Sequence, residues 1–146
     1  MRRTLLSRSL WLRVVTLAVA AHSVTLGVCL LSFPGWTLRL VGWDYSGPIF
    51  WPSQAGLFLI ILGVAYSAAS QSRAMAWLLV GSKGSACVFL MAHALWLDAP
   101  RLAILLACVD GSMGLAVAML LWGAPTEERR DTGTGAPRSR PGGTPL

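Results

Sequence analysis

Apolar positions along the chain gather into four long runs, at residues 14–33, 49–70, 75–97 and 101–122, separated by short joints rich in Pro, Gly, Asp and Arg. None alternates with the period of a strand. A helix rises about 1.5 Å per residue, so about 20 apolar residues cover a hydrocarbon core about 30 Å thick. Each run is long enough, and the pattern predicts an all-α polytopic bundle of four antiparallel transmembrane helices. The joints carry the expected punctuation. Pro34-Gly35 ends the first run, Pro48 and Pro52 open the second, Asp98-Ala99-Pro100 precedes the fourth as an N-cap with an early proline, and Gly123-Ala124-Pro125 stops it.

Outside these runs the chain divides into a basic N-terminal segment at 1–13, an outer loop at 34–48 and a tail at 123–146. The loop concentrates Trp36, Trp43 and Tyr45, with Trp51 just beyond, as rings at headgroup depth around a short interfacial helix. Asp44 and Tyr45, with Gln54 in the outer third of the second run, are candidates for an outer mouth of the bundle. The tail is rich in Pro and Gly and poor in apolar residues, which predicts disorder with its arginines near anionic headgroups.

Composition agrees with the pattern: 55% of the 146 residues are hydrophobic and 12% charged, about half the charge of an average soluble domain. The net charge of +6 does not imply nucleic acid, because the basic residues sit at the two ends of the chain and form no aromatic-studded basic face. Their placement speaks to orientation instead. Arg2, Arg3, Arg8, Arg13, Arg73, Arg129, Arg130, Arg138 and Arg140 fall on one side of the expected bundle and Arg39 and Arg101 on the other. The excess of nine against two places both termini in the cytoplasm of a bacterial cytoplasmic (inner) membrane. Basic residues followed by "AVA" at 18–20 also have the form of a signal peptide, but the apolar run continues past Ala20 to residue 33, which favours a retained span.

Lys83 and Asp110 are the only formal charges well inside the four runs. Each alone costs about 2.5 to 3.5 kcal/mol at a helix centre, so the two are expected to pair. Depth supports this. Lys83 lies about 12 Å from the cytoplasmic entry of the third helix, and Asp110 about 16 Å from the same surface. His22 falls in the same layer, whereas His93 lies near the outer end of the third helix, so the two histidines do not share a haem. Gln54 and Tyr66 are expected to satisfy backbone or headgroup partners. Small residues flank both charges, Gly81, Ser82, Gly84 and Ser85 on one side and Ala107, Gly111, Ser112 and Gly114 on the other, and predict a smooth contact between the third and fourth helices. The pair either fixes helix register or couples to a proton or ligand, and the sequence leaves both open.

Other chemistry is thin. "GSKGS" at 81–85 lacks the first Gly and the preceding strand of a phosphate loop. Cys29, Cys87 and Cys108 stand apart in apolar runs with no metal-ligand spacing and read as small apolar residues. No catalytic residue, metal site or cofactor is expected. "GLFLIILGVAYSAAS", Arg73, a basic residue in the third helix and "VDGSMGLAVAMLLW" together resemble the small bacterial four-helix membrane proteins that are loosely DoxX-like. That resemblance covers residues 14–122, implies the four-helix fold and carries over no catalytic residue. Small multidrug exporters are less similar, since they depend on an acid in the first helix and this chain has none there.

Three functions are compatible with these features. The expected one is an accessory or scaffold protein with an intramembrane Lys83–Asp110 ion pair, packing against the lipid bilayer, a larger membrane partner or a second copy. The first alternative is an oligomeric transporter or channel subunit using Lys83, Asp110 and His22 as a polar path. The second is an enzyme acting on a lipid or quinone, for which no converging set of nucleophile, base or ligands is visible.

Overall fold

The computed structural model describes residues 2–122, with side chains from Ser9 onward, and the expected tail lies outside the described residues. The chain forms five helices: α1 (Arg2–Ser32), α2 (Pro34–Leu40), α3 (Phe50–Ser67), α4 (Arg73–Trp96) and α5 (Leu102–Trp122). No strand occurs among the described residues. Four helices are long and apolar enough to cross a membrane, over Ser9–Ser32, Phe50–Ser67, Arg73–Trp96 and Leu102–Trp122. The basic N-terminal segment is therefore a continuation of α1 from Arg2, where the backbone has no residue that breaks a helix. The short helix expected in the connecting loop is α2.

The joints are made by identifiable residues. Phe33 leaves helical geometry (φ −136°, ψ 57°), and Pro34, which needs no N–H at a first turn, starts α2. Gly42 adopts φ 78° and ends α2 with two reverse bonds, Gly42 N–H to Arg39 O (3.0 Å) and Trp43 N–H to Leu38 O (2.9 Å). Ser72 caps α4 through Met75 N–H at 3.5 Å. Asp98 corrects the sequence reading. It sits at φ 53° just past Leu97 and turns the chain out of α4, while α5 starts only at Leu102. A short polar side chain tolerates this left-handed backbone better than most residues do.

Packing divides the bundle in two along its length. α1 packs mainly on α3 and α4 mainly on α5, and contacts between these two hairpins are fewer. At the end nearest Ser9 and Trp122 the hairpins meet in a core of Val19, Tyr66, Ala76, Leu79, Val117 and Leu121, all nearly inaccessible. Toward the α2 end they separate, and a cavity takes the place of the core.

The α1–α3 contact is made by backbone. A Cβ on Gly27 would stand 2.6 Å from Gly56 O, one on Gly56 would stand 2.7 Å from Gly27 O and Leu31 N, and one on Gly63 would stand 3.0 Å from Ala20 O. Small residues of this kind let helices approach where side chains would hold them apart. Across α4–α5 the smooth surface lies on α5: a Cβ on Gly114 would meet Lys83 Cβ at 3.3 Å and one on Gly111 would meet Cys87 Sγ at 2.9 Å. A Cβ on Gly81 or Gly84 meets nothing within 4 Å, so these two glycines do not make the close contact expected of them. The reason is rotation. Lys83 faces α5, which at about 100° per residue turns Gly81 and Gly84 aside.

Gly27→Ala and Gly56→Ala should each destabilise the bundle by about 1 to 3 kcal/mol, because the obstructing atoms are backbone and the helices must part. Gly81→Ala, which meets no neighbour, should leave stability level or raise it by up to about 1 kcal/mol through helix propensity. Unfolding midpoints in mild detergent titrated with a denaturing one compare the three.

Candidate functional site

α4 presents consecutive polar residues to different neighbours. Lys83 Nζ donates to Asp110 Oδ1 at 2.6 Å, with the lysine side chain 5% and the aspartate 17% accessible. One position earlier, Ser82 Oγ donates to Leu79 O at 3.0 Å, which leaves the Tyr66 hydroxyl as the donor in its own short hydrogen bond to Ser82 Oγ. Successive helical residues diverge by about 100°, so Ser82 reaches α3 and Lys83 reaches α5 from one turn of α4. Tyr66 was expected to meet backbone or headgroups. It is instead buried in the core and joins α3 to α4.

Above this layer, on the α2 side, lies a cavity of about 520 Å³. Leu26 and Leu30 of α1, Leu59 of α3, and Phe89 and Leu90 of α4 supply much of its wall. α2 and its following turn form the roof with Thr37, Leu38, Val41 and Trp43. The roof is tied down: Thr37 Oγ1 donates to Cys29 O (3.0 Å) and Phe33 O (2.9 Å), at the last turn of α1. The reverse turn at Gly42 then brings Trp43 back over the opening.

The floor is where the polar groups are. His22, Ser85 and Asp110 all line the cavity, and counting helical rise back from the α2 end puts them about 12 to 17 Å deep. Two of the residues expected in one polar layer, His22 and Asp110, thus share a cavity, and Lys83 lies behind Asp110 outside the lining. Among the described residues, neither His22 nor Ser85 has a side-chain hydrogen-bond partner, and Asp110 makes its bond through Oδ1. Ser23 Oγ, on the turn of α1 beside His22, is also buried without a partner there.

The outer-mouth candidates are not part of this cavity. Asp44 is exposed, Tyr45 donates its hydroxyl to Pro48 O at 3.1 Å within its own loop, and Gln54 is half-buried outside the lining. His93 binds Phe89 O through Nδ1 at 2.8 Å and stacks on the Phe89 ring, away from His22. Among the described residues no three His, Cys, Asp or Glu side chains gather as metal ligands. A second, shallow cleft of about 540 Å³ at the opposite end is lined by Ser9, Leu10, Arg13, Ser70 and Gln71. Sequence reasoning reached the ion pair through charge and depth. It missed the parts that Ser85, Trp43 and the roof play, because a small residue in an apolar run and an aromatic one in a loop carry no mark of the side they face.

Lys83→Met and Asp110→Leu singly should each cost about 3 kcal/mol, since each leaves one buried charge unmatched. The double substitution should be more stable than either single change, measured by thermal unfolding in one detergent. Comparison of this chain with protein-family models, with curated proteins and with solved structures gives no match.

Proposed function

We propose that this chain is a multi-pass protein of the cytoplasmic membrane, both termini on the cytoplasmic side, that holds a lipophilic small molecule in the outer half of its bundle. The excess of basic residues flanking one end supports the orientation. The outward faces of the helices support the bilayer setting, since Val28, Phe58, Val64, Val88, Leu105 and Met119 are all exposed. A helix apolar on its outward face as well as its inward one belongs in lipid.

The observation that carries the ligand reading is the cavity. It has the volume of a small-molecule site, an almost wholly apolar wall and a few polar groups converging at one end. An accessory or scaffold role needs only the outer faces of the bundle and gives no account of an interior that opens on one side. An ion path is served less well, because a passage for ions is lined by carbonyls or charged side chains and this one is apolar from His22 to Trp43.

Trp43 in the roof provides a reporter. With the full chain in lipid nanodiscs, 1-bromododecane should quench a saturable part of the tryptophan emission, a part absent from Trp43→Phe and reduced in Ala86→Phe, which fills the cavity. Quenching that rises with lipid partitioning and is alike in all three proteins would refute the pocket. For orientation, Ser46→Cys in a cysteine-free background should react with a membrane-impermeant maleimide added outside intact cells. Reaction only after lysis would reverse the topology.

A further inference from the structure

The floor of the cavity has hydrogen-bonding capacity that the protein does not use. His22 offers one ring donor and one ring acceptor in its neutral form, Ser85 offers a hydroxyl, and Asp110 keeps Oδ2 while Oδ1 accepts the hydrogen bond from Lys83. His22 and Asp110 sit half-buried at the inner end of a space whose walls are hydrocarbon, and Ser85, itself exposed, lines the same end. A polar group left unmatched in such surroundings is costly, and a ligand that met it would gain accordingly.

Charge decides the kind of head. Lys83 and Asp110 already neutralise each other at 2.6 Å behind the floor. An ammonium head brought against Asp110 would leave a net positive charge buried in apolar surroundings, and a carboxylate or phosphate head would face the aspartate directly. Either carries the desolvation cost of an uncompensated ion. A neutral head avoids both. To satisfy the carboxylate it must donate, and to satisfy the donors of His22 and Ser85 it must accept. A hydroxyl does both with one oxygen.

Size sets the body. At roughly 30 Å³ for each small group, the volume of one water in the liquid, 520 Å³ takes on the order of 15 to 20 non-hydrogen atoms. The wall next to the floor is Leu26, Leu59, Phe89 and Leu106, with no polar group to fix a second head. From these observations, and resting on the ligand-holding reading above, we infer that the cavity selects an uncharged lipophile bearing a terminal hydroxyl, bound head-down against His22, Ser85 and Asp110 with its chain rising toward Trp43.

A matched set of twelve-carbon probes tests this in nanodiscs of the full chain. Dodecane, 1-dodecanol, dodecanoate and dodecylammonium compete with 1-bromododecane for the Trp43-dependent quenching, each compared at equal mole fraction in the bilayer. Dodecanol should displace the quencher at about one tenth the concentration that dodecane requires, as a hydrogen bond to a charged acceptor would give. The two charged probes should do no better than dodecane. His22→Leu and Ser85→Ala leave the ion pair in place and should each narrow the gap between dodecanol and dodecane within the same variant. If dodecane displaces as well as dodecanol, the head-group inference is wrong while the pocket stands. A preference for either charged head, or a dodecanol preference that survives both substitutions, also overturns it. If none of the four displaces the quencher, the pocket itself fails and the inference with it.

Discussion

An ammonium group in an apolar helix has to be met by an opposite charge, and in this bundle Asp110 is the group that meets it. Lys83 and Asp110 lie on α4 and α5, which a short turn joins, and their contact at 2.6 Å fixes the rotation of α4 about its axis. With Lys83 turned toward α5, Ser82 is turned toward α3 and meets Tyr66. Gly81 and Gly84 point away from the close contacts, and Ser85, most of a turn further on, comes to the cavity floor. One charge requirement therefore orients both cross-helix polar contacts of α4 and part of the site above them.

The division of the bundle into a closed and an open half has a different origin. At the closed end Tyr66, Leu79, Val117 and Leu121 bring side chains of useful volume into one core, and the five-residue turn between α3 and α4 keeps those helices together. At the open end α1 and α3 are still held in backbone contact through Gly27 and Gly56, and α4 is held to α5 through Gly111 and Gly114 at and just below the level of the cavity floor. Two tight hairpins that converge at one end and part at the other leave a wedge between them. Leucines and Phe89 line that wedge without filling it.

The loop over the wedge has its own constraint. Pro34 restarts the helix immediately after α1 and Thr37 bonds back to Cys29 and Phe33, so α2 cannot swing freely from the end of the bundle. Gly42 then supplies the positive φ that a side chain would resist, and Trp43 comes back over the opening. Trp43, read in the sequence as one ring of an interfacial belt, lines a cavity instead of standing apart from the helices.

Sequence alone determined the features that follow from a linear count. Run length and hydropathy gave four candidate spans, proline and glycine gave most of the joints, and depth along two neighbouring helices brought Lys83 and Asp110 to one level, because rise per residue is nearly constant. Rotation about each helix axis was not legible in the same way. The apolar runs are hydrophobic on every face, so no amphipathic stripe tells which side of α4 bears Ser85 or which glycines meet a neighbour. Only the packed structure decided that Gly111 and Gly114, and not Gly81 and Gly84, form the smooth contact, that Asp98 ends α4 instead of capping α5, and that Asp44, Tyr45 and Gln54 stand outside the cavity. A void has no residues of its own to read in a chain; it exists only where helices from distant parts of the sequence fail to meet.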